Sequence, residues 1–326
     1  MANKMNNKTL VIVLATLIGV FVMVKVFRSL RLESTMGRGL IEKIDTAKVN
    51  CIYLYPSSEK GSEIKLTREG NGWMVQKGKI KAEAEESSVR SLLTEMAGLK
   101  IDQLIARGKD KWKENFVDDS SGSKIKLYRD KKLLLEMVVG KFNYQPPRQQ
   151  SYYYGGGISG NTSVRIGKSK DVYAVSGFLA YSINQPFNNW RRQNFIRLDK
   201  VKVSKITFAY PADSSFTIEK KDTVWYLDSK TIEKKKVEDF LDKISWKTNN
   251  AFVDDYTPSG SPYYQMTVEG KDMASLTVSA YKRGENDFVL HSSQNPKSYF
   301  SSPRNGMVSE IYPRKEDFLQ TEKKKK

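Results

Sequence analysis

The side chains suited to chemistry in this chain are few and scattered. One histidine, His291, and one cysteine, Cys51, occur among 326 residues. A single cysteine excludes an intramolecular disulfide framework and a thiolate zinc cluster, and a single histidine excludes two-histidine metal motifs. Ser–His–Asp catalysis would have to run through His291, in Leu290-His291-Ser292-Ser293, where no nucleophile elbow marks a partner. Two acidic pairs, Asp118/Asp119 and Asp254/Asp255, offer carboxylates for acid–base or metal work. On a strand, adjacent residues point to opposite faces, so the members of a pair could not share a site. A turn or helix-cap role is the better expectation.

Gly155, Gly157 and Gly160 satisfy G-x-G-x-x-G in form. A dinucleotide site needs a strand before that motif and a helix after it, so that the helix amino terminus meets the pyrophosphate. Here the Pro-, Gln- and Tyr-rich stretch from Asn143 to Tyr154 precedes it and the strand-like run from Thr162 to Ile166 follows, which reads as a hairpin loop. Gly167-Lys168-Ser169 resembles the end of a P-loop, but Thr162 stands where the first glycine must be. No cofactor, metal or catalytic residue is expected, and the chain reads as a non-enzyme.

Binding is the remaining chemistry. The loop from Lys141 to Asn161 breaks regular patterning for about twenty residues, a length that is usually functional or disordered. It carries Tyr144, Tyr152, Tyr153 and Tyr154, whose large amphipathic rings suit a protein, peptide or glycan ligand. A mobile insertion is the competing reading. Trp190, Arg191 and Arg192 form the second binding candidate, with packing or ion pairing between the modules as the blander role.

The elements that must position these groups begin with an apolar run. Thr9 to Val24 holds no charge, and Lys4, Lys8, Lys25 and Arg28 flank it. Extended to Phe27, it approaches the ~20 residues of a membrane helix. No small-residue cleavage site follows, so an uncleaved anchor is expected rather than a signal peptide. The flanking charges are nearly balanced and leave orientation open. A short stub before a large carboxy-terminal region resembles a signal anchor, with the domains outside the cytoplasm.

Beyond the anchor the sequence repeats itself, four features recurring in order. Strand-like runs end in Tyr55-Pro56 and Tyr210-Pro211. Hairpins follow that carry Trp73 and Trp225, both expected as core anchors. Next come helices with apolar positions Val89, Leu92, Leu93, Met96 and Val237, Phe240, Leu241, Ile244. Both sets follow i, i+3, i+4, i+7, which puts four side chains on one face. Last is an identical tetrapeptide, Phe116-Val117-Asp118-Asp119 and Phe252-Val253-Asp254-Asp255. Alternating strands then follow in each half. The expected fold is therefore α+β: an N-terminal transmembrane helix, then two duplicated modules of antiparallel sheet with one packed helix each. The expected divisions are a cytoplasmic stub 1–8, a membrane helix 9–27, a linker 28–46, modules 47–199 and 200–320, and a basic tail 321–326.

The anchor, the Trp-bearing hairpin, Val172 to Leu179, Asn189-Trp190-Arg191-Arg192, and Ser293-Gln294-Asn295-Pro296 with Tyr299-Phe300 together resemble one family. It is the bacterial membrane-anchored domain-of-unknown-function family common in Bacteroidetes, often encoded beside Gldg-type ABC transporter genes. The likeness runs from about Thr9 to Leu319. It implies duplicated extracytoplasmic modules on a single-pass inner-membrane anchor, with the domains periplasmic. It also implies a link to an ABC-type export or gliding-associated complex, whose membrane subunits would be the partners. No catalytic residue carries over.

Charge sharpens this reading. The net formal charge is +18, which on its own suggests nucleic acid. Residues 47–199 hold 26 basic and 16 acidic groups, whereas 200–313 hold 16 and 15. The excess thus belongs to the membrane-proximal module, where it suits anionic headgroups or an acidic partner. Lys and Arg are interleaved with Glu and no nucleic-acid reader motif is present, so nucleic acid is not expected as a partner. The resulting expectation is a non-catalytic, membrane-anchored scaffold subunit of a Gldg-type ABC transporter assembly. The alternatives are an envelope glycan- or peptide-binding module and an envelope hydrolase using the paired carboxylates.

Overall fold

The computed structural model describes residues 14–25, 44–145 and 159–319. Residues 14–25 are helical, and every one of them is exposed. The rest of the expected span 9–27 lies outside the described residues. Among the described residues, no helix is long and apolar enough to cross a membrane.

The chain divides into two compact units. Met1–Lys79 with Glu86–Pro186 make the first, and Ile80–Glu85 with Phe187–Lys326 make the second. Both are mostly antiparallel sheet with a few helices. In chain order the strands are β1 (Cys51–Tyr55), β2 (Ile64–Glu69), β3 (Gly72–Lys77), β4 (Ile80–Glu83, in the second unit), β5 (Ile101–Ala106), β6 (Ser123–Arg129), β7 (Lys132–Gln145), β8 (Ser159–Ile166) and β9 (Val172–Ser176). The first unit's strand order is β3-β2-β1-β6-β7-β8-β9-β5. Helix α1 (Glu86–Ala97) falls between β4 and β5 in sequence.

The second unit continues with β10 (Asn194–Arg197), β11 (Val203–Ala209), β12 (Phe216–Lys221), β13 (Val224–Leu227), β14 (Lys230–Ile232), helix α2 (Lys234–Ile244), β15 (Trp246–Thr248), β16 (Tyr264–Gly270), β17 (Leu276–Lys282), β18 (Asp287–Ser292) and β19 (Tyr299–Pro303). Its main sheet runs β14-β13-β12-β11-β16-β17-β18-β19, and β10 pairs with β15 separately. In each unit the strand ending in Tyr-Pro is central. The hairpin lies on one side of it and the later meander on the other.

Alternation sets the inner faces, because successive strand residues point to opposite sides. Ile52 and Leu54 of β1 face inward opposite Leu66 and Ile64 of β2. Ile206 and Phe208 of β11 face inward opposite Ile218 and Phe216 of β12. Both hairpins turn through two residues whose first member has positive φ, Gly70 at 58° and Asp222 at 56°. Each places a cation across from its tryptophan: Arg68 opposite Trp73 and Lys220 opposite Trp225. The two tryptophans are buried, while the cations lie over their rings at 5.2 and 5.9 Å from the centroids. Helix α2 buries all four of Val237, Phe240, Leu241 and Ile244. Helix α1 buries Val89, Leu92 and Met96, leaving Leu93 half-buried. Each fully buried side chain contributes about 1.5–3 kcal/mol of transfer free energy. At its first residue, Glu86 accepts a hydrogen bond from the Trp73 backbone N–H at 2.9 Å, which ties α1 to the hairpin.

Candidate functional site

The repeated tetrapeptide is the natural place to look first, and its two copies are used differently. Neither acidic pair lies on a strand. In the first unit, Val117 is fully buried against Val138 and Val172, while Phe116 is 49 % exposed at φ 55°. The segment can lie this close to the sheet because β7 carries Gly140 at the crossing. A Cβ there would stand 2.1 Å from the Asn115 carbonyl oxygen. Asp118 closes the following turn, accepting the backbone N–H groups of Ser120 and Ser121 at 3.0 and 3.2 Å, and their hydroxyls. These bonds, those of the serine hydroxyls above all, hold its carboxyl well below the usual carboxylate range. Asp119 turns the other way, to Arg165 at 2.8 Å.

Arg165 sits mid-strand on β8, opposite Val138, and its side chain is nearly buried. Burying a guanidinium demands partners. Arg165 donates to the Val117 carbonyl at 3.0 Å and lies 4.0 Å from the centre of the Trp112 ring. Trp112 in turn donates its indole N–H to the Lys170 carbonyl at 2.8 Å. The cluster is a latch that fastens the 107–122 segment over the sheet.

In the second unit the arginine is Arg191, 2 % exposed. Its guanidinium donates two hydrogen bonds to Asp254, at 2.7 and 2.9 Å, and stacks 3.7 Å from the centre of the Phe252 ring. Phe252 packs on Phe300, and the Val253 N–H donates to the Tyr299 carbonyl. Arg192 pairs with Glu83 at 2.6 Å. Trp190 is 2 % exposed, and its indole N–H and the Arg191 Nε have no hydrogen-bond partner among the described residues. Of the three, only Arg192 presents a substantial surface to solvent. The Ser293-Gln294-Asn295-Pro296 motif meets this same stretch. Asn295 donates to the Arg192 and Asn194 carbonyls, while Gln294 both accepts from and donates to the Arg197 backbone. The two motifs hold one another's main chain in place.

Tyr144 is exposed near the end of β7. Tyr152, Tyr153 and Tyr154 lie outside the described residues. The strands on either side of them pair as a hairpin, Gln145 with Ser159. Gly160 is required there by close approach, since a Cβ would stand 2.3 Å from the Phe142 ring. His291 contacts Tyr299 and the Pro296 carbonyl. Among the described residues, no group of three or more His, Cys, Asp or Glu side chains could hold a metal.

Two features were missed in the sequence. One is a pair of clefts in the second unit, both lined by Tyr210 and Pro211. The first, of about 560 Å³, has Tyr264 and Tyr312 in its walls with Arg304, Arg314 and Glu316 around them. Tyr210, Tyr264 and Tyr312 pack ring against ring at 5.1–6.3 Å, and burial pushes the Tyr210 and Tyr312 phenols up. The second, of about 570 Å³, lies under the loop that begins at Tyr256. Tyr263-Tyr264 next to Thr257-Pro258-Ser259-Gly260-Ser261-Pro262 is the signal the sequence offers for this cleft.

The other is the contrast between the outer sheet faces. Across five neighbouring strands the first unit places Gln76, Lys65, Tyr53, Lys126 and Glu136 in one row. Lys65 lies over the Tyr53 ring and Lys124 over Tyr55, so these two cations rest on rings rather than on carboxylates. The corresponding row of the second unit is Thr217, Thr207, Thr267 and Thr277. The first row sets two lysines around a tyrosine, with Lys126 paired to Glu136 at 3.3 Å, whereas the second row is uncharged and hydroxylated.

Fold and site thus define a protein of two antiparallel-sheet units bearing latched loops and aromatic clefts. The chain belongs to a family described as a domain of unknown function, DUF4340, which matches residues 77–267. No curated protein and no solved structure matches it.

Proposed function

We propose that the protein is a non-catalytic, membrane-anchored accessory subunit whose two sheet units dock partner proteins. The observation that carries this reading is the helix at 14–25. Its large apolar side chains, from Leu14 at 59 % exposed to Phe21 at 66 %, are exposed on every side. A helix apolar all round belongs in a protein core or a bilayer, and none of its residues is packed into a core. The described turns are shorter than the ~20 residues a bilayer needs, and the expected span 9–27 extends beyond them at both ends. The similar strand orders, hairpin turns and Trp–cation pairs of the two units support a duplicated module.

On this outer face of the first unit Lys65 and Lys124 lie over tyrosine rings while Lys126 pairs with Glu136, and the two ring-stacked cations suit an acidic protein surface. The sequence resemblance supplies the partner class: the membrane subunits of an ABC-type export or gliding-associated transporter, at a bacterial inner membrane with the units periplasmic. A hydrolase is less well supported, since Asp118, Asp119 and Asp254 are each bound to structural partners. Fractionation after carbonate washing, combined with a carboxy-terminal phosphatase fusion, tests the anchor and its orientation. An active fusion in the washed membrane pellet is expected. A carbonate-soluble protein, or an inactive fusion made at normal levels, would contradict the reading.

A further inference from the structure

The cleft beneath the Tyr256 loop has a chemistry of its own, independent of the anchor and of any transporter. Its volume of about 570 Å³ falls within the roughly 300–1,000 Å³ of small-ligand sites. Four tyrosines, Tyr210, Tyr256, Tyr263 and Tyr281, and the amide of Gln265 line it. Tyr256 and Tyr281 stand 5.9 Å apart, and Tyr263 is 38 % exposed. The hydroxyls of Tyr256, Tyr263 and Tyr281 and the Gln265 amide have no hydrogen-bond partner among the described residues. No carboxylate lines the cleft, and its single ammonium, Lys282, lies 5.4 Å from the centre of the Tyr263 ring.

We propose that this cleft binds a neutral oligosaccharide. A sugar ring presents C–H faces that stack on aromatic rings and hydroxyls that need both donors and acceptors, and tyrosine supplies both in one side chain. The lining gives an ionic ligand little to pair with. A peptide ligand fits less well, because β11, β16 and β17 beneath the loop are each paired on both sides. They leave no open edge for an added strand, the main route by which sheets take extended peptides.

Titration of the purified chain with maltohexaose, cellohexaose, xylohexaose and chitohexaose, followed by calorimetry and ligand-observed NMR, tests this. At least one should bind. Tyr263→Ala and Tyr281→Ala should each weaken it by about tenfold or more, and Tyr281→Phe, which keeps the ring, by less. Circular dichroism of each variant checks that the fold is retained, and replacing an exposed tyrosine of the first unit, Tyr181→Ala, should leave binding unchanged. Absence of binding by all four at low-millimolar concentration would overturn the proposal. So would binding indifferent to the Tyr263 and Tyr281 substitutions, or tyrosine-dependent binding of a hexapeptide probe without any saccharide.

Discussion

Arg191 holds Asp254 through two hydrogen bonds of 2.7 and 2.9 Å while its guanidinium stacks on Phe252. The arginine side chain is 3 % exposed and the aspartate 32 %, so water screens one end of the pair only. Asp254→Ala strands a buried cation and is expected to cost about 2–3 kcal/mol, below the fully buried case because of that screening. Arg191→Lys keeps the charge but loses the fork and the stacking, and should cost a similar amount. Urea unfolding monitored by tryptophan fluorescence measures both.

The identical tetrapeptides give an internal control. Phe116 is half exposed, so Phe116→Ala should change stability by no more than about 0.5 kcal/mol. Phe252→Ala removes the ring between Arg191 and Phe300 and should cost about 2–3 kcal/mol. Equal effects in thermal unfolding would show that the two copies are used alike.

Gly140 has no room for a side chain. Gly140→Ala drives a methyl into the Asn115 carbonyl and Val117, and should destabilise the latch by about 2 kcal/mol or more. Hydrogen exchange at Lys141, whose N–H donates to the Asn115 carbonyl, should accelerate before exchange in β11 does.

The depressed carboxyl of Asp118 predicts a pH dependence with a definite sign. Its folded value lies below the unfolded 3.8, so the stabilisation is present above that value and is lost as pH falls through the folded one. Asp118→Asn should cost about 1 kcal/mol near neutral pH, and the gap to the parent should close on acidification. Thermal melts across the acid range provide the check.

Much of the fold was legible because it rests on local periodicity. The 3.6-residue pattern marked Val237, Phe240, Leu241 and Ile244, all of which are buried. Alternation marked the strands that follow the tetrapeptide in each half, among them Ser123–Arg129 and Leu276–Lys282. Leu93 of α1 shares the pattern yet remains half-buried, since helical spacing gives a direction and not the depth of packing there. The tetrapeptide repeat was visible, but the divergence of its copies was not: Gly140 lets one copy lie over the sheet, while the other pairs through Phe252 with β19. The tyrosine cleft was hidden because strand register assembles it. Ala209 lies beside Gln265, Gln265 beside Ser279, and Tyr264 beside Ala280. Tyr210, Tyr256 and Tyr281 are far apart in sequence and meet only through that register.

Site-specific photo-crosslinking in native membranes tests the central claim most directly. A photoreactive residue is placed at Tyr53 or Lys126, on the outer face of the first unit that carries Lys65 and Lys124, in protein made at native level. The account predicts a covalent adduct with a membrane subunit of an ABC-type transporter from these positions, absent when the residue is placed at Thr207 on the second unit. Recovery of the protein without that subunit from both positions, in membranes where the transporter is present, would contradict it.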